Sequence, residues 1–324
     1  MSKPIAIIAG EPNSISSEII FKSWNLRKKF AHNPLFIIGS FHLLKQQQKK
    51  LNYKIKLKKI NNVLEINKIK NKDLLVFDVN YRQLKAFEKI SYKSSKYILK
   101  CFEVAIKLAK QKKIAGFINC PVSKEHLFKK KYQGITEFLS KKSGNFGNEV
   151  MLIYNKNLSV APITTHIPLK MVSRSINKFI IKKKVLVINN FYKKIFGKKP
   201  NLAILGLNPH NYSPYKTSEE KKIINKAIRS LQKSKINVLG PLAPDSSFMN
   251  IKKYKLDVIV GMYHDQVLAP YKTLYNFNAI NITLGLPYIR ISPDHGIGKN
   301  IIGKKTANPK SLIECIKFFN NLNE

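Results

Sequence analysis

Residues 94–118 read SSKYILKCFEVAIKLAKQKKIAGFI, and the two periods in this stretch decide the fold class. Ile98, Cys101, Ala105, Leu108 and Ala109 recur every three or four positions with lysine between them, which predicts an amphipathic helix over Ser94–Lys112. The apolar run Gly116–Ile118 follows at once and reads as a strand. The same alternation continues in both directions. Further strands are expected at Ile5–Ala9, Leu35–Ile38, Leu74–Phe77, Val150–Tyr154, Ser159–Thr164, Leu202–Leu205, Val238–Leu239, Val258–Val260 and Ile280–Thr283. Further helices are expected at Lys178–Phe196, Ser218–Lys233 and Pro309–Asn321. This pattern predicts α/β layers around a mainly parallel sheet. No repeat of fixed period and no Gly/Ser/Pro-rich tether is present, so two domains would be joined through strands.

The chain has 324 residues, with 59 Lys+Arg against 18 Asp+Glu and a formal net charge of +41. Hydrophobic residues at 44% and aromatics at 10% exclude a disordered polycation. No apolar run approaches the roughly 18–20 residues that span a bilayer. The N-terminal MSKPIAIIAGEP reads as a first strand rather than a signal peptide. Cys101, Cys120 and Cys315 are odd in number and lack CxxC spacing, which argues against a disulfide framework and a zinc ribbon. A cytoplasmic, reduced protein is expected. Only five basic residues are arginine (Arg27, Arg82, Arg174, Arg229, Arg290), although arginine supplies the bidentate fork that sequence-reading proteins use. The lysine clusters 129–131 and 182–184 sit beside apolar helical patterns and read as solvated faces. The charge is consistent with compositional drift, and with steering of a phosphorylated anion.

Three histidines stand just past apolar strands. The segments are Val160-Ala-Pro-Ile-Thr-Thr-His166, Leu202-Ala-Ile-Leu-Gly-Leu-Asn-Pro-His210 and Val258-Ile-Val-Gly-Met-Tyr-His264. In an open α/β sheet, ligands bind beyond the carboxyl ends of the strands. Three imidazoles delivered to that edge suit a divalent Lewis acid, and isolated strand-end caps would look the same by spacing. Asp245, in a Pro/Gly-rich turn, suits proton transfer or an ordinary helix N-cap. Lys272, Asn281 and Arg290 recur at nine-residue intervals, and Arg290 lies among apolar neighbours, where a buried anion or a structural carboxylate would pair with it. The Gly-punctuated tail Asp294-His295-Gly296-Ile297-Gly298 offers backbone N–H groups or a plain loop. Neither GxGxxG nor a P-loop is present.

At AGEP, NCPVSK, GITEF, TTHIPL, LGLNPH, GPLAPDSSF, MYHDQVLAPYK, NITLGLPYIR and SPDHG the chain resembles the 4-hydroxythreonine-4-phosphate dehydrogenases of pyridoxal-phosphate biosynthesis. The resemblance runs nearly end to end. It implies an isocitrate/isopropylmalate dehydrogenase-like fold of two α/β/α domains, residues 1–128 plus 284–324 and residues 129–283. It further implies a homodimer with interfacial active sites, NAD bound without a Rossmann fingerprint, and one divalent metal (Zn, Co, Mn or Mg). Metal ligands would be His166, His210 and His264, and substrate contacts Thr136, Lys272, Asn281 and Arg290. His295 and Gly296 would lie at the cofactor, with Asp245 as a candidate catalytic group. The implied reaction is oxidation of 4-phosphooxy-L-threonine followed by decarboxylation to 3-amino-2-oxopropyl phosphate.

Three positions depart from the family's pattern. Ile135 stands where GHTE has its histidine, Asn13 to Ser17 replace the small residues after GEP, and Ile297 replaces a polar residue after DHG. Ile135 keeps open a related substrate, a threonate or erythronate phosphate. A third reading, a non-catalytic polyanion- or RNA-binding protein, would not need the three histidines with Lys272, Asn281 and Arg290. No nucleic acid and no membrane is expected as a partner.

Overall fold

The computed structural model describes residues 2–68, 72–129, 132, 134–211, 218–276, 278–320 and 322. Lys130, Lys131 and Asn321, which the sequence places in a lysine cluster and at a helix end, lie outside them. The strands are β1 (Ile5–Ile8), β2 (Leu35–Gly39), β3 (Leu57–Ile60), β4 (Leu74–Asp78), β5 (Gly116–Asn119), β6 (Val150–Tyr154), β7 (Ser159–Pro162), β8 (Leu202–Leu205), β9 (Val238–Leu242), β10 (Val258–Gly261), β11 (Ile280–Leu284) and β12 (Arg290–Pro293). The chain divides into two compact units, Met1–Gln133 with Pro287–Glu324, and Gly134–Leu286.

In the first unit the strand order is β3-β4-β2-β1-β5-β12, all pairs parallel. Its central strands are apolar except for Asn119 at the end of β5, because both faces are covered; every residue of β1, β2 and β5 is buried. The helix Ser95–Lys110 covers this sheet through Ile98, Cys101, Ala105, Leu108 and Ala109, the stripe that its spacing predicts, with Tyr97, Phe102 and Ile106 buried beside it. Two strands of this sheet escape the sequence pattern. β3 is an edge strand whose Lys58 and Lys59 face solvent, and β12 begins with an arginine and ends with a proline.

In the second unit the order is β11-β6-β7-β10-β8-β9. The pairs β7–β10, β10–β8 and β8–β9 are parallel, while β6 runs antiparallel to both β7 and β11. The helix Lys178–Phe196 starts where the Asn177 side chain accepts a hydrogen bond from the Ile180 amide, and stops at Gly197 in the left-handed region. A core of Met151, Ile153, Val160, Ala203, Leu205, Ile259, Val267 and Tyr271 lies under this sheet. The fold class is α/β with a mainly parallel sheet, as the alternation predicts.

Candidate active site

The strands β7, β10 and β8 are neighbours and parallel, so their carboxyl ends open onto one edge of the second unit. His166, His264 and His210 follow these three ends, the placement read from the sequence. Beyond the β7–β10 ladder the chain keeps its pairing: the Ile163 amide donates to the Gly261 carbonyl at 2.8 Å, and the Thr164 amide and hydroxyl donate to the Met262 carbonyl at 3.1 and 2.7 Å. The segment carrying His166 is thereby fixed against the one carrying His264. Their rings stand 5.8 Å apart between centroids.

Each of the three imidazoles has a carboxylate near Nδ1, hydrogen-bonded to it at His264 and at longer range at His166 and His210. His264 Nδ1 lies 2.6 Å from Asp265 Oδ1, at the start of the helix His264–Tyr275. His166 Nδ1 lies 3.8 Å from Glu137 Oε1, and His210 Nδ1 lies 3.4 Å from Asp245 Oδ2. The Asp265 hydrogen bond at His264 Nδ1 fixes that ring's tautomer and leaves its Nε2 free to ligate. The donor set of imidazoles backed by carboxylates therefore fits a borderline divalent cation. Among the described residues no group of three side chains is yet close enough to hold an ion. His166 and His264 are brought together. His210 is 77% exposed and stays with Asp245.

Glu137 sits in the first turn of the helix Ile135–Ser143, and the Thr165 hydroxyl donates to its Oε1 at 3.2 Å. Burial works to raise its carboxyl, but hydrogen bonds from His166, its own backbone and Thr165, with the His166 charge, hold it below the ordinary value. The His210 turn is braced by Glu220, whose Oε1 accepts from the Leu207 and Asn208 amides, both at 2.9 Å. His210 and Asn211 are both left-handed, with φ of 54° and 56°, a conformation that costs non-glycine residues energy and needs such bracing. Lys184 donates from Nζ to the Ile163 carbonyl at 2.7 Å, so this member of the 182–184 cluster is not on a solvated face. Its partner is at the end of β7, which draws the ammonium inward. Asp245 is not an N-cap: Ala243 holds that place before the short helix Pro244–Ser247, and Asp245 lies in its first turn.

Thr136 is buried, its hydroxyl 3.3 Å from that of Thr283. Asn281, two residues earlier on β11, shares that strand face with Thr283, and its Oδ1 is buried with no hydrogen-bond partner among the described residues. Lys272 is exposed, two turns along the helix that His264 opens.

The first unit gathers three of the quoted motifs. Gly10, at φ 77°, lies so close to the NCPVSK segment that a Cβ would stand 2.6 Å from the Pro121 carbonyl oxygen. The Glu11 amide donates to that same carbonyl at 2.9 Å, and the Ile15 amide donates to the Ile297 carbonyl at 3.2 Å. Lys22 and Glu18 pin the tail loop: Nζ donates to the carbonyls of Lys305 and Ala307, and Glu18 Oε1 accepts the Ala307 amide. Arg290 is buried, its Nε donating to Asn119 Oδ1 at 2.7 Å. His295 Nδ1 lies 3.1 Å from the Gly296 carbonyl, and beyond its chain neighbours none of the described residues comes within 4 Å of where a Gly296 Cβ would be. Glu137, Glu220 and Lys184 carry no signal that spacing alone reveals.

No helix among the described residues is long and apolar enough to cross a membrane. The family of the pyridoxal phosphate biosynthetic protein PdxA matches residues 31–319. The 4-hydroxythreonine-4-phosphate dehydrogenase of Sulfurihydrogenibium sp. (strain YO3AOP1) is 38% identical over 97% of this chain and 96% of its own length. The D-threonate 4-phosphate dehydrogenase of Salmonella typhimurium (strain LT2) is 30% identical over 98% of each chain. The crystal structure of 4-hydroxythreonine-4-phosphate dehydrogenase from Klebsiella pneumoniae superposes with a TM-score of 0.84 at 27% identity, covering 100% of both chains.

Proposed function

The chain belongs to the family of the pyridoxal phosphate biosynthetic protein PdxA, and on that premise we propose that it oxidises the C3 hydroxyl of 4-phosphooxy-L-threonine. The β-keto acid formed loses CO2 to give 3-amino-2-oxopropyl phosphate. The observation that carries this reading is an imidazole with a carboxylate nearby at each of three adjacent strand ends. His166, His264 and His210 would hold a divalent ion through Nε2. When bound, NAD supplies the hydride acceptor and the ion a Lewis acid for the C3 oxygen and for the enolate left by decarboxylation.

The rest of the chemistry falls to the chain's own residues. Thr136, Lys272, Asn281 and Arg290 bind and orient the anionic substrate, the guanidinium as a planar fork and the ammonium as a point charge. The unsatisfied Asn281 Oδ1 suits the substrate's ammonium group. Asp245, at His210 Nδ1, holds that ring's proton. The tail from His295 and Gly296 through the loop pinned by Glu18 and Lys22 is assigned to the dinucleotide. The working unit is a homodimer of cytoplasmic chains. Following NAD reduction with 4-phosphooxy-L-threonine, with and without a chelator, tests this: chelator-sensitive turnover is expected, and turnover that survives metal stripping would remove the metal role.

A second reading has its own support. Ile135 is buried at the start of the Glu137 helix, where it offers no hydrogen bond, and a relative acts by name on D-threonate 4-phosphate. Side-by-side rates with 4-phosphooxy-L-threonine and the threonate and erythronate phosphates decide between them. A preference of about a hundredfold for a substrate lacking the amino group, worth some 2.7 kcal/mol, would replace the first assignment.

A further inference from the structure

The parallel ladder between β10 and β8 pairs Val258 with Leu202, Ile259 with Ala203 and Val260 with Ile204. In that register Met262 comes opposite Gly206, past the last paired residues. There a side chain lies between the two backbones. The Met262 amide donates to Gln266 Oε1 at 2.6 Å, and Gln266 Nε2 donates to the Gly206 carbonyl at 2.7 Å. A carboxamide has the donor and acceptor of a peptide group, so it continues the ladder as one inserted unit. The two chains can then diverge beyond it, one toward His264 and the other toward His210, while their polar groups stay paired.

Everything around Gln266 fits this use. The residue is buried and lies in the first turn of the helix that His264 opens. Gly261 leaves the space: a Cβ there would stand 2.8 Å from Gln266 Oε1 and 2.5 Å from Val267 Cγ1. Met262 is bonded on its other side as well, its carbonyl accepting from Thr164 before His166. A continuous hydrogen-bonded line therefore runs from Thr164 through Met262 and Gln266 to Gly206, crossing all three strand ends that carry histidines.

We infer that Gln266 is a positioning residue, locking the His210 segment to the His264 segment and so fixing where these two imidazoles are presented to a metal ion. The consequence for metal binding rests on the function proposed above; the lock itself does not. Two variants separate the two bonds. Gln266→Met keeps the length and removes both, and Gln266→Glu keeps the acceptor for Met262 while losing the donor for Gly206.

The test uses the metal-free full-length protein and then the same protein titrated with cobalt(II) chloride. In Gln266→Met, hydrogen exchange at the Met262 amide and across residues 206–211 is expected to speed up about tenfold or more, with exchange in β1, β2 and β5 unchanged. In Gln266→Glu, Met262 stays protected and residues 206–211 alone speed up, so this variant carries the test if the first does not fold. Cobalt affinity in both is expected to fall ten- to a hundredfold, the usual effect of losing an outer-shell partner, with a changed d–d absorption band. Gln232→Met, which removes an exposed side-chain amide's bond to the Val238 carbonyl away from the histidine-bearing strand ends, is expected to alter neither. Unchanged exchange would overturn the lock. Faster exchange with cobalt affinity and spectrum as in the wild type would overturn the positioning role. A wild-type protein that binds no cobalt would overturn the metal reading, while exchange still decides the lock.

Discussion

The rings of His166 and His264 face one another at 5.8 Å between centroids, their planes inclined at 41°. Behind the first ring, Gly134 leaves no spare room. A Cβ there would stand 2.8 Å from Glu137 Oε2, 3.3 Å from His166 Cε1 and 3.4 Å from His166 Nδ1. The Gly134 backbone is extended, at φ −165°, so alanine fits the main chain and the strain falls on the Glu137–His166 pair. Gly134→Ala is expected to keep the wild-type circular dichroism spectrum and to lose about tenfold or more in turnover, as when a metal ligand's carboxylate is displaced. Steady-state kinetics with excess divalent metal check this, and wild-type turnover would show that the pair tolerates displacement.

Glu220 accepts two backbone amides and the Asn208 side chain, and these bonds hold its carboxyl below the ordinary value against the opposing effect of burial. A carboxylate whose folded value is depressed stabilises the protein above its unfolded value of 4.5, and loses that contribution as the pH falls through the folded value. Glu220→Gln gives up the charge and one acceptor oxygen. The loss expected at neutral pH is that of a charge-assisted hydrogen bond, about 1.5–3 kcal/mol. Urea melts across the acid range check the sign: the gap between wild type and variant closes as the pH drops below 4.5. A gap independent of pH would mean that shape, rather than charge, braces the turn.

Much of this architecture is legible in the sequence because period and strand ends are local properties. The helix stripe from Ile98 to Ala109 and the histidines past β7, β8 and β10 follow from residues close to one another in the chain. β3 and β12 are not legible: an edge strand bearing Lys58 and Lys59, and a strand of Arg, Ile, Ser and Pro, lack an apolar run. The groups that hold the site are hidden for another reason. Gln266 reaches Gly206 across 60 residues and Glu220 reaches Leu207 across 13, and no local pattern announces a partner at such separations. Arg290 shows the limit most sharply, since an arginine among apolar neighbours announces a buried partner without saying that Asn119 meets its Nε.

Lys184 illustrates the same limit and makes a separate prediction. Burial lowers its ammonium below the ordinary 10.5, against the opposing pull of Glu149 and Glu137. In exchange its Nζ satisfies the Ile163 carbonyl at the end of β7. Lys184→Met removes that donor and is expected to destabilise the protein by about 1–3 kcal/mol, the cost of an unsatisfied buried carbonyl. The folded state binds fewer protons than the unfolded one between the lowered value and 10.5, so wild-type stability rises across that window while the variant's does not. Chemical denaturation at neutral and alkaline pH should show the gap widening upward. A gap that narrows would place the ammonium in a favourable ionic setting instead.

Glu11 carries the opposite sign in the first unit. It is buried beneath the GEP turn, and burial raises its carboxyl above 4.5 despite hydrogen bonds from the Asn13 amide and the Ser94 hydroxyl and the charge of His126. A carboxyl whose folded value is raised favours folding most below 4.5, and that advantage is lost as the pH rises through the folded value. At neutral pH the ionised group therefore costs stability that a neutral isostere would not. Glu11→Gln, which keeps an oxygen for Asn13 and Ser94, is expected to melt above the wild type at neutral pH, with the two midpoints converging below 4.5. Calorimetric scans across this range check it. A variant that melts lower at neutral pH would show that the polar groups around Glu11 repay its charge in full.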